Sequence, residues 1–278
     1  MLAASTAGFA PGVTVTAVSI ASALRIEVNG AAATAAQLGF RALVNYGHFT
    51  TMQARQGRAR GLRLHLDRLD AATRELFGAE LDGERVREYV RHALRGTAEA
   101  TVRVDVFWPT GDDRTSIMVT LRAPVEQPTP AQRLRSVVYQ RPVAHIKHVG
   151  GFGQIYFGRR AESDGFDDAL LTDADGVISE TTIANIGFFD GATLLWPSAP
   201  ALHGITMRLL EPRLVEAGVP IRYGIVRASD LDSFLAVYVT NSSGVAEVRR
   251  IDDVDLPGDA TFLKTVRNLY DSVPWEPI

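Results

Sequence analysis

The chain has 278 residues, of which 46% are apolar, and its 29 basic and 32 acidic residues give a formal net charge of -3. A chain of this size and apolar content can fill one large core or two ordinary ones. The charges are interspersed and cysteine is absent. Composition therefore argues against nucleic acid as a partner and excludes disulfides, thiolate nucleophiles and cysteine-bound metal sites.

The first 23 residues are small and mildly apolar. No lysine or arginine precedes Arg25, and Gly8, Pro11 and Gly12 interrupt the apolar run, so an export signal is not favoured. We predict a loose tail over residues 1–23 and a cytoplasmic protein. No apolar run approaches the roughly 18 residues of a membrane helix, so we expect no membrane partner.

Residues 24–123 are predicted to form a first domain of mixed strands and helices. Alternating apolar residues predict strands over 24–28, 49–55, 60–64, 102–107 and 116–122. Apolar residues at helical spacing predict helices over 65–77 and 86–94, each followed closely by a glycine.

Three prolines between residues 124 and 130 predict a stiff connection, which we place at 124–132. Residues 133–278 then form a second domain. Its predicted strands cover 134–139, 168–172, 186–190, 221–225 and 236–240, and its predicted helices cover 155–163 and 206–217.

Common catalytic and binding signatures are absent from the sequence. Gly151 and Gly153 lack the third glycine of a dinucleotide-binding turn, and no phosphate loop, nucleophile elbow or zinc-protease motif occurs. His145 and His148 could share a helix face, but no carboxylate lies near them in sequence. We therefore predict no metal site.

Lys147 is a candidate catalytic amine. It lies between two histidines, with Ile146 before it and three glycines soon after it. An amine among apolar neighbours loses its proton more easily and becomes nucleophilic near neutral pH. Because most lysines are surface residues, this interpretation depends on other segments.

Three further segments fit a lysine that holds a phosphate-bearing aldehyde cofactor. Glu180 lies between two apolar strands, where a buried carboxylate can pair with a pyridinium nitrogen, or it is a solvated loop residue. Gly204 and Thr206 begin a predicted helix, whose N-terminus can bind phosphate or can simply be capped. Arg68 can clamp the phosphate or form a surface ion pair within its helix.

The order of these segments resembles the class IV aminotransferases, which have the type IV fold of pyridoxal-phosphate enzymes. The resemblance covers residues 28–248. Its carriers are Tyr46 with Gly47, Phe49 to Met52, His65 with Arg68 and Leu69, Lys147, Gly165 to Leu171, Gly176 to Glu180, Asn185, Leu202 to Thr206, and Thr240 to Ser243.

The resemblance implies a two-domain α+β or α/β fold with a smaller N-terminal α/β domain and a larger, mainly β C-terminal domain. It implies pyridoxal 5'-phosphate as cofactor, a Schiff base on Lys147, and a homodimer with sites completed by the neighbouring subunit. The implied cofactor-binding residues are Arg68, Lys147, Glu180, Asn185, Gly204, Ile205, Thr206, Ser242 and Ser243. The implied substrate contacts are Tyr46, His48, Arg103 and Phe152, with Arg103 facing a substrate carboxylate.

Two departures from the family pattern leave the substrate open. Phe152 stands where many members have a tyrosine, and His203 and Met207 replace the common proline and arginine around the helix start. The first expectation is an aminotransferase that moves an amino group between an amino acid or amine and a 2-keto acid. The alternative is a lyase of the aminodeoxychorismate lyase type, which releases 4-aminobenzoate and pyruvate and also lacks that tyrosine. A binding protein descended from such enzymes is a third possibility, disfavoured because the lysine, glutamate and arginine are all present.

Overall fold

A computed structural model describes residues 23–125 and 130–278, which form two β-sheets and six α-helices. The predicted tail up to residue 22 and residues 126–129 of the predicted linker lie outside the described residues. The helices are α1 (Ala35–Leu43), α2 (Leu62–Phe77), α3 (Gly83–Ala93), α4 (Phe152–Ser163), α5 (Ile205–Glu216) and α6 (Ala260–Asp271).

The strands begin with β1 (Ala23–Val28), β2 (Ala31–Ala32), β3 (His48–Arg55), β4 (Arg58–Arg60), β5 (Glu99–Phe107), β6 (Ser116–Arg122), β7 (Gln132–Val138) and β8 (Asp168–Thr172). They continue with β9 (Ile178–Thr181), β10 (Asn185–Phe189), β11 (Leu194–Pro197), β12 (Ile221–Gly224), β13 (Ala236–Asn241), β14 (Gly244–Ile251), β15 (Val254–Asp255) and β16 (Trp275–Pro277). A short 3₁₀ helix (Ala228–Ser233) precedes β13.

The first sheet is antiparallel, with the strand order β16-β4-β3-β5-β6-β1-β2. Helices α2 and α3 cover one face, where Leu69 and Val90 pack with Val102 of β5. Residues of β3 alternate strictly between buried and partly exposed. Because successive strand residues point to opposite faces, one face of β3 joins this core while Phe49 and Gln53 face a cavity.

The second sheet is mixed, with the order β12-β11-β10-β13-β14-β7-β8-β9 and β15 paired to β14. Two neighbouring residues of β10 point to opposite faces of this sheet and pack into two different hydrophobic cores. Phe188 packs on one face with Val237 and Val248, whereas Phe189 packs on the other against the residues of α5 and α6. The two faces are therefore buried against different partners.

The strand predicted over residues 60–64 is wrong. Gly61 has φ +62°, a conformation that glycine adopts without strain, and it ends β4 at Arg60. Residues 62–64 form the first turn of α2 instead. Helices α1 and α6 were not predicted, although Thr34 and Gln37 form a capping box at the start of α1.

The last strand, β16, pairs with β4 in the first sheet. The end of the range 133–278 therefore joins the sheet of the predicted first domain, and the domain boundaries at 23, 123 and 132 stay a prediction. None of the helices in residues 23–125 and 130–278 has the length and apolar character needed to span a membrane.

Candidate active site

A cavity of about 420 Å³ is lined by residues of both sheets. All the residues predicted to bind the cofactor line it, namely Arg68, Lys147, Glu180, Asn185, Gly204, Ile205, Thr206, Ser242 and Ser243. Of the predicted substrate contacts, Arg103 also lines it. Tyr46, His48 and Phe152 are not among its lining residues.

Lys147 lies in the loop between β7 and α4, and the start of β3 fixes its backbone. The Phe49 N–H donates to the Lys147 carbonyl at 2.9 Å, and His48 and His148 form an isolated β-bridge. Inside the cavity, the Nζ of Lys147 lies 5.0 Å from the centroid of the Phe49 ring. The first sheet thus positions an amine carried by the second part of the chain.

The environment of Lys147 favours its neutral form. Burial lowers its pKa to about 7, and the charges of Arg68 and Arg141 act in the same direction while Glu180 opposes them. Burial penalises an ammonium ion, and neighbouring cations add to the penalty. Near neutral pH a substantial fraction of Lys147 is therefore an uncharged nucleophile.

Glu180, on β9, is buried and paired with Arg141. Its Oε1 accepts from Arg141 Nη1 at 2.8 Å, and its Oε2 accepts from the Leu202 N–H at 3.3 Å. Burial raises the pKa of Glu180, and the nearby Arg141 charge opposes this shift. The Nη2 of Arg141 also donates to the Ile146 carbonyl at 2.5 Å, so one guanidinium connects Glu180 to the lysine loop.

The N-terminus of α5 opens into the cavity without a side-chain cap. Its first backbone N–H groups, at Ile205 and Thr206, are free of the helical pattern and can bind an anion. Gly204 precedes them and donates its N–H to Asn185 Oδ1 at 3.0 Å. A Cβ at this glycine would lie 2.0 Å from that oxygen, so only glycine fits the contact.

Arg68 adds positive charge at the cavity. Its Nη2 donates to Thr50 Oγ1, whereas its buried Nε has no hydrogen-bond partner among the described residues. Burial, followed by the charge of Arg208, lowers the pKa of Arg68 to about 9, so it remains a cation at neutral pH. A guanidinium without a carboxylate partner in the described part of the chain and an uncapped helix N-terminus in one cavity form a donor set that suits a phosphate dianion.

The turn after β13 contributes further polar groups to the cavity wall. The Ser243 N–H donates to Asn241 Oδ1 at 2.7 Å, and Thr206 Oγ1 donates to the Asn241 carbonyl at 2.6 Å. The side chain and backbone of Asn241 therefore hold the turn of Ser242 and Ser243 next to the start of α5.

Arg103 faces the cavity from β5 with much of its guanidinium in use. Its Nε and Nη2 donate to the two carboxylate oxygens of Asp105 at 2.9 and 2.7 Å, and its Cζ lies 3.6 Å from the Phe49 ring centroid. A substrate carboxylate would share this group with Asp105, and the predicted contact stays a prediction.

The other three predicted substrate residues lie elsewhere. His48 is buried, with its Nε2 3.0 Å from Thr73 Oγ1, and Tyr46 donates its hydroxyl to the Leu76 carbonyl at 3.2 Å. Phe152 begins α4, is 80% exposed, and stacks on Tyr156. Phe152 therefore does not take the place of the family tyrosine within this cavity.

Sequence interpretation missed Arg141, which lies only six residues before Lys147. It also missed polar residues that line the cavity from the first sheet, Gln53, Thr101 and Arg122. The residues considered for a metal are occupied otherwise, since His145 contacts Glu75 and His148 contacts the Pro142 carbonyl. In the described part of the chain no cluster of potential metal ligands is found.

Comparison with known proteins decides the family. A family model described as amino-transferase class IV matches residues 47–251. The chain belongs to the class IV aminotransferase family. The predictions of this family, of its mixed α/β fold and of its cofactor, pyridoxal phosphate, are confirmed.

Similar class IV aminotransferases include a probable branched-chain-amino-acid aminotransferase of Rickettsia felis, 33% identical over 99 residues. That match covers 35% of this chain and 33% of the relative, so the chain matches about a third of the relative's length. Among solved structures, a hypothetical aminotransferase from Mycobacterium tuberculosis in its PLP-bound form is 23% identical, with a TM-score of 0.75 over 84% of this chain and 90% of that one. A putative 4-amino-4-deoxychorismate lyase from Legionella pneumophila is 20% identical, with a TM-score of 0.76 over 84% and 93% of the two chains. At these identities, the structural likeness shows the fold.

Proposed function

We propose that the protein is a pyridoxal-phosphate-dependent aminotransferase that moves an amino group between an amino acid or amine and a 2-keto acid. The observation that carries this proposal is the position of Lys147, whose amine has a pKa lowered to about 7 in a cavity shared with Glu180 and Arg68. A covalent tether, a carboxylate partner for a ring nitrogen and a dianion site are the three groups that such a cofactor requires.

The residues divide these tasks by their chemistry. Lys147 is the amine for the covalent tether, and Glu180, held by Arg141, would face the ring nitrogen and keep it protonated. Arg68, the backbone of Ile205 and Thr206, and the turn of Ser242 and Ser243 would hold the phosphate. Bound at these residues, pyridoxal phosphate supplies an electron sink for bonds at the substrate α-carbon.

Lys147 has a second task in the reaction. As a free amine with a pKa near the working pH, Lys147 would take a proton from the substrate α-carbon and return it elsewhere. Burial, followed by the positive charges of Arg68 and Arg141, lowers the pKa of Lys147 and so favours its neutral, proton-accepting form. Proton transfer by this lysine therefore depends on its burial beside these two cations.

The test of this assignment is chemical labelling. Sodium borohydride treatment of the cofactor-loaded protein, followed by peptide mapping, should place a pyridoxyl label on Lys147. Lys147→Ala should lose the label, the absorbance band of the bound cofactor and turnover, while Lys264→Ala provides a control lysine on α6. A label on another lysine, or none, would contradict the assignment.

A lyase of the aminodeoxychorismate lyase type is the second candidate, and it is supported by the sequence, which has Phe152 where many members of the family have a tyrosine that this lyase type also lacks. The putative lyase from Legionella pneumophila has the same fold as this chain. Steady-state assays separate the candidates. An aminotransferase requires an amino acceptor, whereas the lyase releases pyruvate from aminodeoxychorismate without one.

We also propose a homodimer. Tyr46 and Phe152, which lie outside the cavity lining, are 53% and 80% exposed, and Ile155 and Tyr156 are 52% and 48% exposed beside Phe152. Large apolar side chains exposed together on one helix are typical of a surface that another protein covers. A second copy of the chain would place such residues at its neighbour's site.

A further inference from the structure

Three polar side chains at the contact between β3 and α2 are connected by hydrogen bonds, and the last of them is Arg68. Thr50 of β3 and His65 of α2 are both buried. Arg68 Nη2 donates to Thr50 Oγ1, and Thr50 Oγ1 lies 2.6 Å from His65 Nδ1. His65 and Arg68 are three residues apart on α2, so they share one face of the helix. Both also line the cavity that contains Lys147.

These hydrogen bonds determine where His65 carries its proton. A guanidinium only donates, so Thr50 Oγ1 accepts from Arg68. The hydroxyl proton of Thr50 then needs an acceptor, and within residues 23–125 and 130–278 the other partner of this hydroxyl is His65 Nδ1. A proton on Nδ1 would leave the buried hydroxyl proton without an acceptor, which is costly. We therefore assign His65 as a neutral ring with its proton on Nε2.

The surroundings of His65 agree with a neutral ring. Burial, followed by the charges of Arg68 and Lys147, lowers the pKa of His65 well below its usual range. A charged imidazole would be a third cation beside these two, whereas the neutral ring accepts a hydrogen bond. The donors therefore point in one direction, from Arg68 to Thr50 and from Thr50 to His65.

The same interface contains a second pair of a histidine and a threonine, which does not reach the cavity. His48 Nε2 lies 3.0 Å from Thr73 Oγ1, and Thr73 Oγ1 donates to the Leu69 carbonyl at 2.8 Å. His48 and Thr73 are as deeply buried as the first pair, but they are not among the residues that line the cavity. The pair of Thr50 and His65 differs from it by contacting a guanidinium that faces the cavity.

The guanidinium of Arg68 has few other restraints. Its Nε is buried without a hydrogen-bond partner, and its bond to Thr50 is the hydrogen bond that it makes in the described part of the chain. An arginine side chain has several rotatable bonds, and ordering them during binding weakens the affinity for a ligand. A partner that orders the guanidinium beforehand therefore strengthens binding.

We propose that Thr50 and His65 are positioning residues, which fix the guanidinium of Arg68 in the orientation that binds the phosphate of the cofactor. His65 accepts the hydroxyl proton of Thr50, so the oxygen lone pairs of Thr50 stay directed at Arg68. Without this acceptor the hydroxyl rotates and its proton competes for the same space as the guanidinium N–H. This proposal deepens the proposed function and rests on it for the identity of the phosphate.

Pyridoxal and pyridoxal phosphate differ in the phosphate group, so their affinities isolate the contribution of the phosphate site. Absorbance titration of the cofactor-free protein with each compound gives the two dissociation constants and their ratio. Thr50→Val keeps the shape of the side chain and removes the hydroxyl. It should weaken binding of pyridoxal phosphate about 3- to 10-fold, because one arginine must then be ordered on binding, and it should leave the affinity for pyridoxal unchanged.

Matched variants separate positioning from packing. Thr73→Val makes the same change at a buried hydroxyl of the same interface that does not contact Arg68, and it should preserve the wild-type ratio. Thr50→Ser keeps a hydroxyl and should also preserve the ratio. An unchanged ratio in Thr50→Val, or an equal loss in Thr73→Val, would overturn the proposal.

His65→Leu tests the other end of the hydrogen-bonded series. It removes the acceptor and should reproduce the effect of Thr50→Val, and the double variant should lose no more than Thr50→Val alone, since both residues act on one guanidinium. Full additivity of the two losses would show that His65 does not act through Thr50. Melting curves identify any variant that fails to fold, and if Thr50→Val is one of them, His65→Leu decides.

The outcomes also distinguish failure of this proposal from failure of the proposed function. If pyridoxal phosphate binds more tightly than pyridoxal and Thr50→Val leaves the ratio unchanged, the positioning role is refuted and the aminotransferase stands. If the ratio falls in Thr50→Val but no amino donor is turned over, the aminotransferase is refuted while the positioning of Arg68 stands. Equal affinities of the wild type for the two compounds would refute the phosphate site on which both proposals rest.

Discussion

The buried ion pair between Arg141 and Glu180 gives a quantitative prediction about stability. Their side chains are 4% and 6% exposed and their charged atoms lie 2.8 Å apart. In the variant Arg141→Met, Glu180 keeps only the Leu202 N–H, at 3.3 Å, as a hydrogen-bond donor among the described residues. Removing one partner of such a pair typically costs about 3–5 kcal/mol, because the remaining charge is buried without compensation.

This loss should lower the melting temperature of the cofactor-free protein by roughly 6–20 °C at pH 8, since 1 kcal/mol corresponds to about 2–4 °C in a chain of this size. Circular dichroism during heating measures the change. Arg63→Met breaks an exposed pair with Asp67, whose side chains are 78% and 51% exposed, and should change the free energy of unfolding by less than about 1 kcal/mol.

The stability lost in Arg141→Met should depend on pH, in a direction set by the pKa of Glu180. Burial already raises the pKa of Glu180 in the folded protein, and removal of Arg141 should raise it further. A carboxyl group with a raised folded-state pKa is most favourable for folding at low pH, and this advantage is lost as the pH rises from the unfolded pKa to the folded pKa. The difference in stability between wild type and Arg141→Met should therefore widen between pH 5 and pH 8.

A double variant checks the cause. Glu180→Gln removes the charge, so Arg141→Met should cost less in that background than in wild type, provided that the neutral amide is tolerated. A difference that stays constant with pH, or one below about 1 kcal/mol at pH 8, would show that Glu180 is not left as an uncompensated buried charge.

Four further predictions concern the cofactor, the lysine, the substrate and the assembly. Arg68→Ala should weaken pyridoxal phosphate binding about 10- to 100-fold in a fluorescence titration, while Arg63→Ala on the same helix should leave it unchanged; equal effects would contradict the phosphate role. The rate at which the cofactor-free protein recovers the cofactor absorbance should rise with pH and level off above about pH 7, the pKa of Lys147, whereas an ordinary lysine would give a rise that continues towards pH 10. Arg103→Ala should raise KM for dicarboxylate acceptors with cofactor binding intact, and an unchanged KM across acceptors would remove its substrate role. Light scattering should show a dimer at assay concentrations, and an active monomer would exclude shared sites.

The residues predicted to bind the cofactor could be proposed from the sequence because their signals are local. Lys147, Glu180 and the Gly204 helix start each carry a motif that can be recognised within a few residues, and the structure brings all three to one cavity. The pairing of Gln53 with Thr101 and Arg122 is different, since it depends on the register of three strands. Register is set by packing and turns over the whole sheet, so no short motif predicts it.

The missed helices have separate physical explanations. Helix α1 spans only nine residues, a short window for periodicity, although Ala36, Phe40 and Leu43 fall at helical spacing and a capping box begins the helix. Helix α6 does carry a readable signal, because Asp259 caps it and Phe262, Leu263 and Val266 are buried at helical spacing. The strand prediction over 60–64 is wrong from Gly61 onwards, because the left-handed backbone of this glycine ends β4 and α2 begins at the next residue.

The pairing of β16 with β4 has a consequence for folding during synthesis. Trp275 lies opposite Arg60, whose guanidinium is 4.7 Å from the ring centroids of both Tyr270 and Trp275. The edge of the first sheet, and with it this wall of the cavity, is therefore completed only by residues that lie more than 200 positions later in the chain. On the ribosome, β4 would remain an open edge while the roughly 200 residues before β16 are made, and an open edge is a ready template for pairing with another nascent chain.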